Sequence, residues 1–474
     1  MLNRFCFNRR AAWVVIAAGL TLGRVAPGAA AFEGPLIFNA GDFLAPMALT
    51  SANYTIDPTA RNDGLMNHCT FPFPFGAIGA IGDDMARELA REMDAIAAIR
   101  KIKKTDAFVN GFSAAIAGPL EASKTLITKL VQTIKSLGNT ASEMVDDLMS
   151  AIGNFGKKGS DDDSAMLKYL IGYNKAKREL AFRLGVDPYS SNPYLQEELG
   201  DLAWANFAGG ANIDVAISAA TIGGVGATVS AINDGAATGG VFLTKSLTSL
   251  TNLNSKYLAT MVLEGTAADP FLFHAKYSVT QQTLLVLAMG AMEDVPGRAN
   301  FIGLASSATN EDQTRFFQRT AEIMAAYHQQ VHPVIRIEVN QGRAYIKDAG
   351  GRLLVPVPAD YMTWTPTARA MTQALPAAHS RTLWTTGFVS PMMHAGLTAR
   401  GIGAEEKVFS RRLADKIAIV EPKEPNNASA ATAAAPKTAS GGMKSPNPAV
   451  CKTCSTPSAA FFRMKTPQSR KAPT

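Results

Sequence analysis

The sequence predicts a mainly α protein: a multi-helix body, a small C-terminal antiparallel β-meander that makes it α+β overall, and a disordered tail. Three observations predict this. Apolar residues recur at helical spacing along most of 83–330. Apolar and charged residues alternate from Val334 to Val339, ahead of two further short runs set off by tight turns. Beyond about 421 the chain is dominated by Pro, Ala, Ser, Thr, Asn and Lys, which cannot bury a core.

Residues 1–31 read as a cleaved export signal. Arg4, Arg9 and Arg10 form a basic start without an acid, an apolar stretch runs from Ala11 to Ala26, and Ala29-Ala30-Ala31 offers small residues to a signal peptidase. The stretch is short for the ~20 residues of a membrane span and contains Gly19, Gly23 and Arg24. Arg9-Arg10 fits either the general or the twin-arginine route. Cys6 lies too early for a lipoprotein anchor. Residues 32–82 read as an irregular N-terminal segment. In it, Phe71-Pro72-Phe73-Pro74-Phe75 cannot be helical, and its aromatics are expected to pin extended chain onto the body.

A helical region spans 83–156. Asp83 and Asp84 open its first helix, Met85, Leu89, Met93 and Ile96 line one face, and Lys101, Lys103 and Lys104 suit its negative end. Amphipathic runs follow at 119–137 and 140–152, then a polar linker from Gly156 to Asp163. A helical core domain is expected over 164–330. Asp163 or Ser164 caps a helix bearing Tyr169, Tyr173, Ala176, Leu180 and Leu184, and Gly185 stops it. Asp187-Pro188-Tyr189 turns the chain, Asn192 caps the next helix with Pro193 at its first position, and Leu195, Leu199 and Leu202 face inward. The glycine-rich segment 209–240 carries only Asp214 and Asp234 as charges. Helical sequence resumes at 241–260, again from Asp269-Pro270 through the apolar Leu284–Met292, and after Asn310, which with Gln313 resembles a capping box. A small α+β region spans 331–420. Its strands lie at Val334–Val339, Ala344–Lys347, Leu353–Val357 and Thr382–Thr386, and Ser390-Pro391 opens a short helix. Residues 421–474 form the disordered basic tail.

The formal charge of +7 misleads. Arg4, Arg9, Arg10 and Arg24 carry four positive charges, the lysines and arginines of 426–474 carry seven, and the body between them is left at about −4. Nothing in that body suits nucleic acid. Cys451 and Cys454 sit in Pro/Ser/Thr-rich sequence with no His next to them, so haem attachment and redox chemistry are not indicated.

No nucleophile elbow, phosphate loop or His-Glu-x-x-His is present. His328 and His332 are four apart and would share a helix face, although Pro333 disfavours helix at His332. Met392, Met393 and His394, with Met66 and His68-Cys69, suggest soft-metal ligands. Methionine is equally an ordinary core filler. Asp187 is either a catalytic carboxylate or an Asp fixing its own turn, and the turn is favoured. Trp204, Trp364 and Trp384 read as packing residues.

The block Lys175-Ala176-Lys177-Arg178-Glu179-Leu180, continuing into Leu184-Gly185-Val186-Asp187-Pro188-Tyr189-Ser190-Ser191-Asn192-Pro193, resembles one in an uncharacterised family of exported proteobacterial proteins. Arg315-Phe316-Phe317 with Ala325-Ala326-Tyr327-His328, and Leu383-Trp384-Thr385-Thr386-Gly387 with Ser390-Pro391, are similar to later blocks of that family. The resemblance covers about 100–420. It implies one continuous mature body and an envelope location, and brings no activity, ligand or catalytic residue with it.

Taken together these features predict a non-enzymatic binding protein of the periplasm or cell envelope, with no cofactor. Its partner would be an envelope protein or a membrane surface touched through 209–240, and self-association is allowed. The alternatives are a periplasmic hydrolase whose site is assembled from sequence-distant residues, and a soft-metal-binding protein using His328, His332, Met392, Met393 and His394.

Overall fold

The computed structural model describes residues 32–73, 76–117, 161–207, 241–242 and 244–411. The export signal 1–31, the runs at 119–137 and 140–152, the glycine-rich segment 209–240, the tail 421–474 and Cys451 and Cys454 lie outside the described residues.

The chain opens with strand β1 (Leu36–Asn39), the short helix α1 (Ala40–Leu44), and strands β2 (Thr59–Asn62), β3 (Asn67–Phe73) and β4 (Gly76–Ile81). These strands form a four-stranded antiparallel sheet in the order β1-β2-β3-β4. Residues 32–82 are therefore a sheet, not an irregular segment. The run around Pro72 is extended as expected, but it is a strand. β2 pairs with β3 only at His68 and Asn67, and Asp57 N reaches Thr70 O (2.8 Å), so beyond Thr70 β3 pairs with β4 alone and Pro72 breaks no central ladder. Phe71 is fully buried there.

Helices follow: α2 (Asp83–Ile102), α3 (Asp106–Ala117), α4 (Asp161–Arg183) and α5 (Pro193–Phe207). α4 starts at Asp161, so 161–163 is its first turn instead of a linker. Gly185, at φ 70°, ends the helix as expected. Asn192 Oδ1 caps α5 through the N–H groups of Tyr194 (3.1 Å) and Leu195 (3.3 Å). Leu180, Leu184, Leu195, Leu199 and Leu202 close a core with Ile99 and Ile102 of α2.

The next helices are α6 (Leu247–Ala259), α7 (Asp269–Leu272), α8 (Val279–Gly290), α9 (Arg298–Ala305) and α10 (Glu311–Gln330). Asn310 Oδ1 accepts from Gln313 N (2.9 Å), while Gln313 Oε1 reaches back to Thr309 N (2.8 Å). The reciprocal capping box occurs at Ser278 and Gln281 of α8.

Strands β5 (Val334–Asn340), β6 (Arg343–Asp348) and β7 (Arg352–Val357) form the expected meander. β8 (Tyr361–Met362), α11 (Pro366–Gln373), β9 (Ser380–Thr385), β10 (Phe388–Val389), α12 (Pro391–Thr398), β11 (Ile402–Glu405) and α13 (Val408–Arg411) complete the described chain. β9 and β11 join the meander in parallel, giving a five-stranded mixed sheet ordered β11-β9-β7-β6-β5, and β8 pairs with β10 in a parallel ribbon. The mainly α reading with one small meander is thus corrected: the fold is mixed, with three sheets among the described residues. Ile346, Leu354 and Trp384 face the helical core while Tyr345, Leu353, Val355 and Leu383 face the opposite cluster. Burial on both faces explains the uninterrupted apolar run Leu353-Leu354-Val355.

The start of the described chain is tied to its C-terminal region. Glu33 N donates to Trp364 O (2.9 Å), and Glu33 Oε2 accepts from Trp364 N and from Ser390 Oγ (2.6 Å).

Candidate functional site

Helix α2 presents three carboxylates, Asp84, Glu88 and Glu92, at successive four-residue steps, so they share one face. Opposite them α10 presents Arg315 and Arg319. Arg319 donates to Asp84 Oδ2 (2.6 Å) and to Glu322 Oε2 (2.8 Å), and Arg315 to Glu88 Oε2 (2.8 Å). The Arg319 charge beside it holds the Asp84 carboxyl below its usual range, and Asp84 in turn raises Arg319 further. The groups are crowded, yet water reaches them: Asp84 is 54% exposed, Glu88 30%, Arg319 28% and Arg315 23%. These part-exposed, oppositely charged side chains line the space where α2 faces α10.

The 187–192 turn closes one end. Asp187 Oδ1 accepts from Tyr189 N (2.8 Å), as an Asp fixing its own turn does, and also from Thr280 Oγ1 of α8 (3.0 Å). Burial pushes its carboxyl up to about 6. The charges of Glu88 and Arg315 act on it in opposite senses. Glu92, 5% exposed, accepts from Ser190 Oγ and from Asn192 Nδ2 (2.8 Å). Burial pushes it up to about 7 against those two hydrogen bonds. On another flank lie Asp312 and the His68–Asp63 pair (3.0 Å). Burial raises Asp312, and the charges of His68 and Arg315 oppose the rise. Seven carboxylates (Asp63, Asp84, Glu88, Glu92, Asp187, Asp312 and Glu322) and two guanidinium groups are thus brought together, along with Ser190, Asn192 and Thr280.

Of these residues, sequence alone marks Asp187 as a candidate carboxylate and His68 as a candidate soft-metal ligand, and none of the others. The acids of α2 and the arginines of α10 were visible as four-residue spacings, but nothing local says that the two helices face each other.

The candidate metal ligands lie near the end of α10, in the turn after it and on α12. α10 ends at Gln330, so His328 and His332 do not share a helix face, and His328 Nδ1 accepts from Val334 N (3.0 Å). Burial lowers the His328 pKa. Met393 is fully buried, Met392 is 38% exposed, and His394 lies 3.3 Å from Glu406. Among the described residues no group of three or more His, Cys, Asp or Glu is arranged to hold a metal ion. Cys69 is 1% exposed, and burial pushes its thiol up to about 12. In a chain with Cys6, Cys451 and Cys454 replaced by serine, the Cys69 thiol is expected to react with Ellman's reagent only upon unfolding. Stoichiometric labelling of the native protein within minutes would contradict that placement.

Trp204, Trp364 and Trp384 are each 4% exposed and serve packing. No described helix is long and apolar enough to cross a membrane. The chain matches no protein-family model, no curated protein and no solved structure.

Proposed function

We propose that this is an exported, envelope-acting binding protein whose ligand enters the cleft between α2 and α10. Export is supported by the order of basic, apolar and small residues in 1–31 and by the resemblance of 175–195 to an exported family. The observation that carries the binding reading is the accessibility of paired charges: Asp84 keeps 54% of its side chain exposed while bonded to Arg319. A closed structural ion pair would shut water out. Here a polar ligand can exchange its own hydrogen bonds for those of water. The mixed signs suit a zwitterionic ligand, with a cation against Glu88 and Asp187 and an acceptor against Arg315.

Two experiments test this. Residues 1–40 fused to a reporter enzyme that is active only outside the cytoplasm should give activity, and Arg9/Arg10→Gln with a charged residue in 11–26 should abolish it. A silent wild-type fusion sinks the export half. A thermal-shift panel of amino acids, amino sugars and short peptides should yield compounds that stabilise the wild type and lose their effect in Glu88→Gln/Arg315→Met. A panel without hits, or hits indifferent to that double variant, removes the cleft from consideration.

A second reading, acid–base catalysis, is favoured by Glu92 and Asp187, whose carboxyls lie near neutrality where proton transfer is most useful. It carries a stability signature. Glu92 ionises near 4.5 when unfolded and near 7 when folded, so its contribution is greatest below 4.5 and is lost as pH rises to about 7. Glu92→Gln is expected to flatten the fall in urea-unfolding free energy between those pH values. An unchanged slope would show that the side chain is not held as described.

A further inference from the structure

A second pair of carboxyl groups lies where the N-terminal sheet meets the C-terminal one. Asp360, just before β8, receives the backbone N–H of Asn67 (2.9 Å) and that of Asp83 (3.2 Å) on the same oxygen, Oδ2. Asp83 Oδ1 accepts from Asn67 Nδ2 (2.9 Å), and Asn67 Oδ1 from Asn62 Nδ2 (3.0 Å). Asn62 and Asn67 are buried. Around this core the backbones are joined: Asp360 N (2.9 Å) and Tyr361 N (3.1 Å) donate to Leu65 O, and Thr363 N to Gly64 O (3.1 Å). Behind it the chain is tight, since a Cβ at Gly387 would lie 1.9 Å from Asp360 O.

The charges facing the pair are few and mostly of one sign. α2 contributes Asp83, Asp84 and Arg87, and β3 contributes Cys69. Arg87 spends its hydrogen bonds on Leu44 O (2.6 Å) and Phe43 O, although its charge still favours an ionised Asp83, and Asp84 is engaged by Arg319. Asp63 and His68 in the hairpin bond to each other. Among the described residues no cation is paired with Asp83 or Asp360. Two carboxylates side by side in such a place repel. A neutral Asp360, with its proton on the second oxygen, still offers Oδ2 to both backbone donors.

We infer that Asp83 and Asp360 form a proton-operated joint: with one proton on the pair, the β2–β3 hairpin and the start of α2 are clamped to the 360–363 segment, and with both groups ionised the clamp loosens. Burial first, then the charge of Asp83, moves the Asp360 pKa upward, and burial does the same for Asp83. The folded pair therefore holds a proton that the unfolded chain has released. Its stabilisation is full at acid pH and fades as pH rises from the ordinary carboxylate range through the raised folded values. Asp84 follows Asp83 in the chain, so the joint also adjoins the mouth of the cleft, although it does not depend on any ligand there.

Hydrogen exchange on the whole mature chain tests this. Protection of the Asn67, Asp83 and Asp360 amides, corrected for intrinsic rates, is expected to fall about tenfold or more between about pH 5.5 and about pH 9. Asp360→Asn keeps an oxygen for both donors and cannot ionise, so its protection should stay within about twofold across that range. Asp83→Asn removes the repelling neighbour and should move the transition to lower pH. Flat wild-type protection, Asp360→Asn tracking the wild type, or an Asp83→Asn transition that stays put or moves upward would each overturn the joint.

Discussion

Asp348→Ala is expected to destabilise the protein by about 3–5 kcal/mol, a loss that urea unfolding at neutral pH would show directly. The carboxylate is 1% exposed and accepts four hydrogen bonds: Tyr327 Oη (2.7 Å), Gly350 N (2.9 Å), Arg352 N (3.0 Å) and Arg352 Nε (2.6 Å). It closes the β6–β7 turn and ties it to α10 through Tyr327. Alanine leaves a buried phenol hydroxyl and two backbone N–H groups without an acceptor, which accounts for the size of the effect. Burial pushes this carboxyl up, but the donors together pull it below its usual range. Its contribution is therefore present above the ordinary value of 3.8 and is lost as pH falls through the lower folded value. The gap between wild type and variant should narrow in acid. A loss under about 1 kcal/mol, or a gap independent of pH, would mean that the turn is held by something else.

Arg319→Ala comes next in size. The guanidinium bridges Asp84 and Glu322, which are 54% and 11% exposed. Breaking a fully buried pair costs about 3–5 kcal/mol, and water at Asp84 reduces that to about 2 kcal/mol here. Glu322 bears most of the loss, because its remaining partner is Gln318 Nε2 (2.9 Å). Lysine cannot reproduce a fork that spans two carboxylates, so Arg319→Lys should recover less than half. The Asp84→Ala/Arg319→Ala double variant should be more stable than the sum of the singles predicts, with a coupling of about 1 kcal/mol. Strict additivity in that cycle would reduce the ion pair to coincidence. If the cleft binds a ligand, the same variant should weaken binding more than its stability loss explains.

Local signals were legible where a residue settles its own neighbourhood. Gly185 stops α4, Asn192 and Pro193 start α5, Ser390 caps α12, and Asp187 fixes its turn. The meander was legible for the same reason, as alternation and turn residues are short-range. The four-stranded N-terminal sheet was not. Its strands LIFN, TARN, NHCTFPF and GAIGAI lack regular alternation, are rich in Asn, Gly and Pro, and resemble loops in composition. The parallel pairing of β9 with β7 and β11 depends on crossovers through β8, α11, β10 and α12, for which sequence offers no short-range mark. The cleft escaped for a similar reason: each half is an ordinary amphipathic helix face, and its chemistry exists only once α2 meets α10.

The clasp between Glu33 and Trp364 sets an order of events. Bonds at sequence separations of 331 and 357 join residues near the start of the described chain to partners near its end. During synthesis β1 to β4 emerge first, but Leu65, Asn67 and Asp83 must wait for the 360–363 segment. Such distant closure is slow and leaves strand edges open in the meantime. The earliest of the described residues are therefore among the last to be secured, and the interval before they are secured is when the chain most needs protection from pairing with its neighbours.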